Sequence, residues 1–446
     1  MKSNFLTVLK DAKILLPYEW LATVPPCEGG RFIGADDIGN NSFVLCWEEI
    51  STAEETAYEG TLTESGFTAV WNGDMGGNRY LSLKGKEADL YLTYLPRKKE
   101  LRVFAEPAGS SLPLPEEYPS YETVEGYVPA IWQLPVDNKT SKANGGMSYV
   151  MPLADGSFMI LDGGYPSDPE ADALMAFLEE HNPLGGKPRI AGWLITHLHG
   201  DHYGCFFRFA EKYADRVTLD AMYYNFPFEG HGFWPGFGKD VVNKIHSLCA
   251  TMGDVKLYER VHTGETFYLA DIRIDVLLTH EDLYPVTGTN NNDSSTVFRV
   301  TAGGQRIMLL ADIEARASDV LEANMPADEL KSDIVQFAHH GYEGALPSLY
   351  DIIGAPTVLF PLNIYGWQRP DGSNVFERWS KVTHTRRQIM ANNYVCYEAE
   401  YVKKVVVAGA GIAELKLPYT PEGERVPDYK TIHDAIAAVE EPTEEK

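Results

Sequence analysis

The chain has 446 residues, 44% hydrophobic, 12% aromatic and 23% charged, which is too long for one ordinary domain and supplies ample apolar material for a core. Its formal charge of −26 opposes long-range attraction to polyanions, and the basic runs Arg97-Lys98-Lys99 and Arg386-Arg387 are too short for a nucleic-acid groove, so nucleic acid is a disfavoured partner. Five dispersed cysteines without a CxxC pair give neither a zinc ribbon nor a disulfide framework, and no run of 18 apolar residues occurs; residues 1–20, their apolar positions interrupted by charges, are not expected to be a secretory leader, and a cytoplasmic address without a membrane partner is the expectation.

Residues 1–125 read as a small α+β accessory domain. A helix is expected over 53–65, ending at Gly66, followed by strands at 67–71, 88–95 and 100–107. The Pro-, Ser- and Glu-rich stretch 108–122 reads as a linker.

The texture changes at about 126, and 126–416 reads as a layered α/β domain. Short apolar strands AIWQLPV, MSYVMPL and SFMILDGG lead to Asp162-Gly163-Gly164. A helix begins at Asp168 or Pro169, with Ala171, Leu174, Phe177 and Leu178 at helical spacing. The buried strand RIAGWLIT comes next, and an amphipathic helix is expected from about Tyr203. Further strands are expected at 220–226, 267–279, 296–303, 306–312, 333–340 and 357–363, then a helix at 384–393 and strands near 394–400 and 403–410. AGAGIAE at 408–414 precedes a strand-like run, not a helix, so it is no dinucleotide site. Residues 417–446 form a C-terminal tail with one short helix at 431–441.

Chemistry concentrates at residues 195–205, ITHLHGDHYGC, where His197, His199, Asp201 and His202 stand within six positions. On a continuing strand, His197 and His199 point to one side and can hold one metal ion. Asp201 and His202, at the turn into the next helix, can face a second. Scattered histidines at ordinary composition give H-x-H-x-D-H on the order of once in a thousand such chains or less, so surface or core histidines are a poor account of this run. Imidazole and carboxylate without thiolate suit zinc, with manganese or iron as alternatives. Two later apolar strands end on ligand types: RIMLLAD on Asp312, a carboxylate able to bridge two ions, and DIVQFAHHG on His339-His340. Strand ends along one sheet edge are where an α/β fold builds its site.

Asp162, THLHGDH, Asp312 and the terminal histidine pair resemble the metallo-β-lactamase-fold superfamily over about 126–415. The resemblance implies a hydrolase domain folded as a four-layer αββα sandwich, with a dinuclear metal site along one edge. NNNDSSTVFRV (290–300), LLADIE and FAHHG resemble the DNA-uptake competence-protein branch, and phosphorylcholine esterases have similar pieces. Many superfamily members place a further histidine between the first motif and the bridging aspartate. Here His231, His246, His262 and His280 are the candidates and none has the usual setting, so Asn292 or water is expected to fill in, with His262 a loop residue.

The resulting expectation is two divalent metal ions held by His197, His199, Asp201, His202, Asp312 and His340. Asp201 and His339 are the catalytic residues, and Asp162 orients a ligand histidine. On a strand His339 and His340 point to opposite sides, and His340 is taken as the ligand. Paired cations lower the pKa of a bridging water to about 7 and neutralise charge on the attacked group. Asp201 then orients the nucleophile, while His339 protonates the leaving group or binds a non-bridging oxygen. The expected substrate is a small phosphodiester or phosphate ester. A lactone or thioester is the alternative, and the aromatic loops 224–240 and 363–373 are candidate pocket walls. A di-iron redox protein would favour Glu where His199 stands and need a flavin partner. A non-catalytic binding protein would have lost ligands, whereas here the motif is intact.

Overall fold

The computed structural model describes residues 18–39, 41–110, 114, 120–136, 146–227, 238–284, 291–341, 344–362, 394–408 and 411–425. The first sheet has six antiparallel strands, β1 (Arg31–Gly39), β2 (Ser42–Glu48), β3 (Thr68–Met75), β4 (Asn78–Lys84), β5 (Ala88–Leu95) and β6 (Glu100–Pro107), in spatial order β1-β2-β6-β5-β4-β3. β5 and β6 match the expected strands residue for residue, and β3 runs past the expected 67–71. β1, β2 and β4 add three strands that were not expected, β1 disguised by the glycines and aspartates of RFIGADDIG. Helix α1 (Thr52–Glu64) is started by a capping box. Ser51 Oγ accepts from the Glu54 amide, and the Glu54 carboxylate accepts from the Ser51 amide at 2.8 Å. Its Tyr58 and Leu62 pack with Phe43, Leu45 and Trp47 on one face of the sheet.

The second sheet contains β7 (Ala130–Gln133), β8 (Ser148–Pro152), β9 (Phe158–Asp162), β10 (Arg189–Leu194), β11 (Thr218–Leu219), β12 (Ala221–Tyr223) and β13 (Lys256–Tyr258). Its order is β13-β12-β10-β9-β8-β7, completed by a late strand beside β7, with β11 also on β10. Helices α2 (Asp168–Glu180), α3 (Gly200–Tyr213) and α4 (Gly238–Cys249) cover its outer face through Leu174, Phe177, Phe206, Phe209 and Ile245.

The third sheet runs β14 (Thr266–Leu269), β15 (Ile272–Leu278), β16 (Val297–Ala302), β17 (Gln305–Leu309), β18 (Ile334–Gln336), β19 (Thr357–Phe360), β20 (Lys404–Val407) in that spatial order. The late strand beside β7 is β21 (Ala413–Lys416). Strand alternation divides the interior in two. Ile307, Leu309, Ile334 and Leu359 face the second sheet, while Met308, Leu310, Val335, Val358 and Phe360 face outward. There they meet α5 (Ala315–Asn324), α6 (Ala327–Leu330) and α7 (Pro347–Ile353), together with Val44, Tyr80 and Tyr91 of the first sheet. Two face-to-face sheets between helix layers make the αββα sandwich, with the first sheet laid on one side.

Two expected strands are different objects. Residues 267–279 form the hairpin β14–β15, broken where Ala270 takes φ +43 beside Asp271. Residues 394–398 form a π-helical turn: adjacent Val395 and Cys396 are buried, Tyr397 is exposed and Ala399 is buried, a pattern no period-two strand satisfies. The expected helices at 384–393 and 431–441 lie outside the described residues. β9 is parallel to β10, and β17, β18 and β19 are mutually parallel, so their C-terminal ends open on one edge of the sandwich.

Candidate metal centre

The strand β10 stops at Leu194, so His197 and His199 lie in a loop and not on a strand as expected. The helix starts at Gly200, three residues earlier than expected, with His199 as its N-cap. Asp201 and His202 are therefore in its first turn, where the helix dipole favours a carboxylate. The Asp162 side chain causes the break. Its Oδ1 accepts from the Thr196 amide at 2.9 Å and its Oδ2 from Thr196 Oγ at 2.8 Å, holding the chain out of sheet register. The Thr196 carbonyl accepts from the Thr296 amide of the facing sheet at 2.9 Å.

The strand carrying the histidine pair also ends early, at Gln336, and both histidines are left-handed, His339 at φ +48 and His340 at φ +51. The opposite-sides argument therefore loses its premise. Asp162 (φ +54) and Ala311 (φ +51) share this conformation. Such backbone strain collects at functional sites because surrounding contacts must over-determine it.

Asp312 Oδ2 is the hub of what these turns bring together. His202 Nε2 lies 3.1 Å from it, His340 Nε2 3.2 Å, His197 Nε2 3.8 Å and His339 Nε2 4.0 Å. Asp201 Oδ2 is 3.4 Å from His340 Nε2, and its Oδ1 is 4.0 Å from His202 Nε2. Two groups have metal-binding spacing, His197 with His202 and Asp312, and Asp201 with His202 and His340. His199 meets the cluster through His197, its Nδ1 3.0 Å from His197 Nε2.

Hydrogen bonds behind the rings fix which nitrogen faces the hub. His202 Nδ1 donates to Asp162 Oδ2 at 2.7 Å, and His340 Nδ1 donates to the Pro361 carbonyl at 2.9 Å. With Thr196 Oγ donating to Asp162, His197 Nδ1 donates to Thr196 Oγ at 3.1 Å. Asp162 thus orients His202 directly and His197 through a hydroxyl. Three Nε2 lone pairs then converge on a carboxylate oxygen, and Asp312 Oδ1 is buried with no partner among the described residues. A crowd of acceptors facing one another fits a cation. Protons compensate when the cation is absent. Burial of His197 and His199 holds both below the usual histidine range, while Asp312 raises His202 well above it and His340 to about 9.

None of the described spare histidines joins this cluster. His246 pairs with Glu259 at the surface, His262 is a buried loop residue paired with Glu281, and His280 bonds Asn225 and Tyr284. His231 lies outside the described residues, as do 228–237 and 363–373 of the aromatic loops. Asn292 is buried, its Nδ2 3.1 Å from His339 Nε2 and 2.8 Å from Glu314 Oε1. Thr196 and Glu314 also belong to the site, and their one mark in the sequence is adjacency, each within two residues of a ligand type.

The family model described as "Metallo-beta-lactamase superfamily" matches residues 143–369, half of the chain. No curated protein sequence matches. Among solved structures, human tRNase Z, short form, aligns with a TM-score of 0.33 and 13% identity over 52% of this chain and 92% of its own. Unliganded yeast PDE1 aligns at 0.36 and 12% identity over 65% of this chain and 100% of its own. A long form RNase Z from yeast gives 0.36 and 9% over 66% and 42%. The chain belongs to the metallo-beta-lactamase superfamily, and family and ligand chemistry together make it a metal-dependent hydrolase.

Proposed function

We propose that the protein hydrolyses a small phosphodiester or phosphate ester at a dinuclear site. The carrying observation is the convergence of four histidine nitrogens within 4.0 Å of Asp312 Oδ2. The choice of phosphoester is supported by the likeness of NNNDSSTVFRV, LLADIE and FAHHG to the competence-protein branch and phosphorylcholine esterases. His197 and His199 would hold one divalent cation, and Asp201, His202 and His340 the other, with Asp312 between them and water, not Asn292, completing the set, because the Asn292 nitrogen faces Glu314 and His339. The hydrogen bond from His340 Nδ1 to Pro361, which leaves its Nε2 toward the hub, supports His340 as the ligand of the pair. Cations bound there, zinc first, supply Lewis acidity and a lowered water pKa. Asp201, partly exposed at the mouth of the cluster, orients the attacking water. His339, with 17% of its side chain exposed, is the imidazole that meets the substrate. The unit 1–125 serves as a packing module against the hydrolase unit 126–416, anchored by Tyr91 to Thr263, Asn78 to Asn324 and Arg102 to Glu281.

Metal analysis of the purified protein, paired with a panel of phosphodiester, phosphomonoester, lactone, thioester and β-lactam substrates, tests this reading. Turnover of the phosphodiester, its loss in Asp201→Ala and retained circular dichroism are expected. Unchanged turnover in Asp201→Ala sinks the mechanism, and activity confined to the acyl substrates moves the enzyme to that class.

A further inference from the structure

Behind His339 stands an arrangement that the ligand set does not use. Glu314, the N-cap residue of α5, is placed by Asp293, whose Oδ1 accepts from the Glu314 amide at 3.0 Å and the Ala317 amide at 3.1 Å. Its Oε1 accepts from Asn292 Nδ2 at 2.8 Å and lies 3.5 Å from His339 Nδ1. The same Asn292 nitrogen is 3.1 Å from His339 Nε2. A carboxamide's two ends look alike in outline, and its neighbours decide which is which. Here Glu314 decides. A carbonyl at 2.8 Å from a carboxylate oxygen would set acceptor against acceptor, so the nitrogen must face Glu314. That nitrogen has two protons, and the second points at His339 Nε2, which therefore holds none. His339 Nδ1 then keeps the ring proton and faces the Glu314 carboxylate. Both contacts are satisfied by one tautomer. The Asn292 carbonyl is turned away, buried and without a partner among the described residues.

We propose that Glu314 is a positioning residue for the reaction, fixing the Asn292 carboxamide and through it presenting His339 to the site as the Nδ1–H tautomer with Nε2 bare. This tautomer closes both roles expected of His339, because a leaving oxygen and a non-bridging oxygen each need an N–H and the nitrogen on the Asp312 side has none; Nε2 acts there as an acceptor, its lone pair facing the Asn292 N–H. The left-handed backbone at His339 serves the same end, turning the ring back toward α5. The inference rests on the hydrolytic reading above, but the tautomer is readable without turnover.

The test uses the full chain labelled with 15N-histidine, as purified and after chelation, with His339→Gln identifying its signals. The wild type should give a protonated Nδ1 and an unprotonated Nε2 for His339. Glu314→Ala should mix the tautomers and lower kcat on bis(4-nitrophenyl) phosphate by roughly ten- to a hundredfold with KM little changed. Glu314→Gln keeps an acceptor oxygen and should restore most of the loss. Asn292→Asp replaces the donor by an acceptor and should move the proton to Nε2, which keeps the proposal testable if Glu314→Ala does not fold. A protonated Nε2 in the wild type, or Glu314→Ala with unaltered tautomer and kcat, overturns it. A wild type that turns over no phosphodiester sinks the proposed reaction and leaves the tautomer result standing.

Discussion

His262 and His202 are both enclosed imidazoles facing carboxylates, and their surroundings could hardly differ more. His262 lies against Tyr91 with ring centroids 4.3 Å apart and bonds Glu281 at 2.7 Å, while its amide donates to Glu265 at 2.7 Å. The carboxylates opposite raise the His262 ring to about 9, and it holds Glu281 down to about 2. The ring faces a carboxylate that accepts its proton directly, and its stacking on Tyr91 joins the first sheet to the sandwich. Around His202, four ring nitrogens crowd one oxygen of Asp312, whose other oxygen is buried with no partner among the described residues. Buried polar groups normally find partners within the protein. A buried carboxylate oxygen left over beside four imidazoles, on the edge where parallel strands end, fits something that arrives from outside.

The comparison breaks most sharply at Asp312. Asp312→Ala should lower kcat/KM by on the order of a thousandfold or more and reduce metal content to background, with the fold retained by circular dichroism. Retained metal and turnover would mean that the hub is as closed as the His262 pair. Removing the metal with a chelator should likewise abolish turnover, reversibly on adding zinc, and lower the melting temperature. Ligand at a thousand times its Kd stabilises by about 4 kcal/mol, so a melting curve indifferent to chelator would count against a site of this kind.

How much of this was legible follows from what each residue type can be arranged to do. Apolar runs betrayed β5, β6, β9, β10 and β17, and the ligand types at or just past the ends of β9, β10 and β17 betrayed the edge. The crowding of His197, His199, Asp201 and His202 needed no fold to be noticed. What stayed hidden depends on contacts between distant segments. Asp162, 34 residues from Thr196, breaks the strand before His197. No periodicity announces that, so the motif read as strand when it is loop and helix cap. His339 and His340 lie beyond their strand, which stops at Gln336, and both turn left-handed where the Ala311 carbonyl accepts from the His339 amide and the Pro361 carbonyl from the His340 ring. Glu314 looked like any surface glutamate until Asn292, 22 residues earlier, was folded against it.

His262 sharpens the contrast from the other side. His262→Ala leaves Glu281 and Glu265 enclosed without their cation, which should cost about 3–5 kcal/mol of stability while kcat per folded molecule is unchanged. Denaturant unfolding and active-site-normalised rates measure the two effects, and a kcat that falls with stability would tie the first sheet to catalysis. The same pair has a pH signature. His262, raised to about 9 from an unfolded value near 6.5, contributes stability fully below about 6.5 that is lost as pH rises through about 9. Glu281, lowered to about 2, contributes above about 4.5 and loses it as pH falls through about 2. Glu265, raised to about 7 by burial, works oppositely: it lowers stability progressively as pH rises from about 4.5 to 7, and the loss persists above that. Unfolding free energy in His262→Ala should lack the alkaline decline that the wild type shows between 6.5 and 9.

The smallest expected effect falls on Thr196, where the two clusters can be compared bond by bond. In the His262 pair a carboxylate grips the ring directly. At the hub Asp162 grips His202 directly, but reaches His197 only through the Thr196 hydroxyl, at 2.8 Å and 3.1 Å. Thr196→Val keeps shape and burial and removes that relay, so His197 loses the acceptor for its Nδ1 proton and with it the fixed aim of Nε2. Affinity for the cation that His197 would hold should fall by about tenfold, the low end for groups that orient a ligand. The cation that Asp201, His202 and His340 would hold should be spared, because Asp162 still accepts from His202. A zinc titration followed calorimetrically in chelator-treated protein separates these outcomes: one weakened step of two supports the relay, and equal weakening of both means that Thr196 matters only through the loop's shape. Thr196→Ser, which keeps the hydroxyl, should titrate as the wild type does.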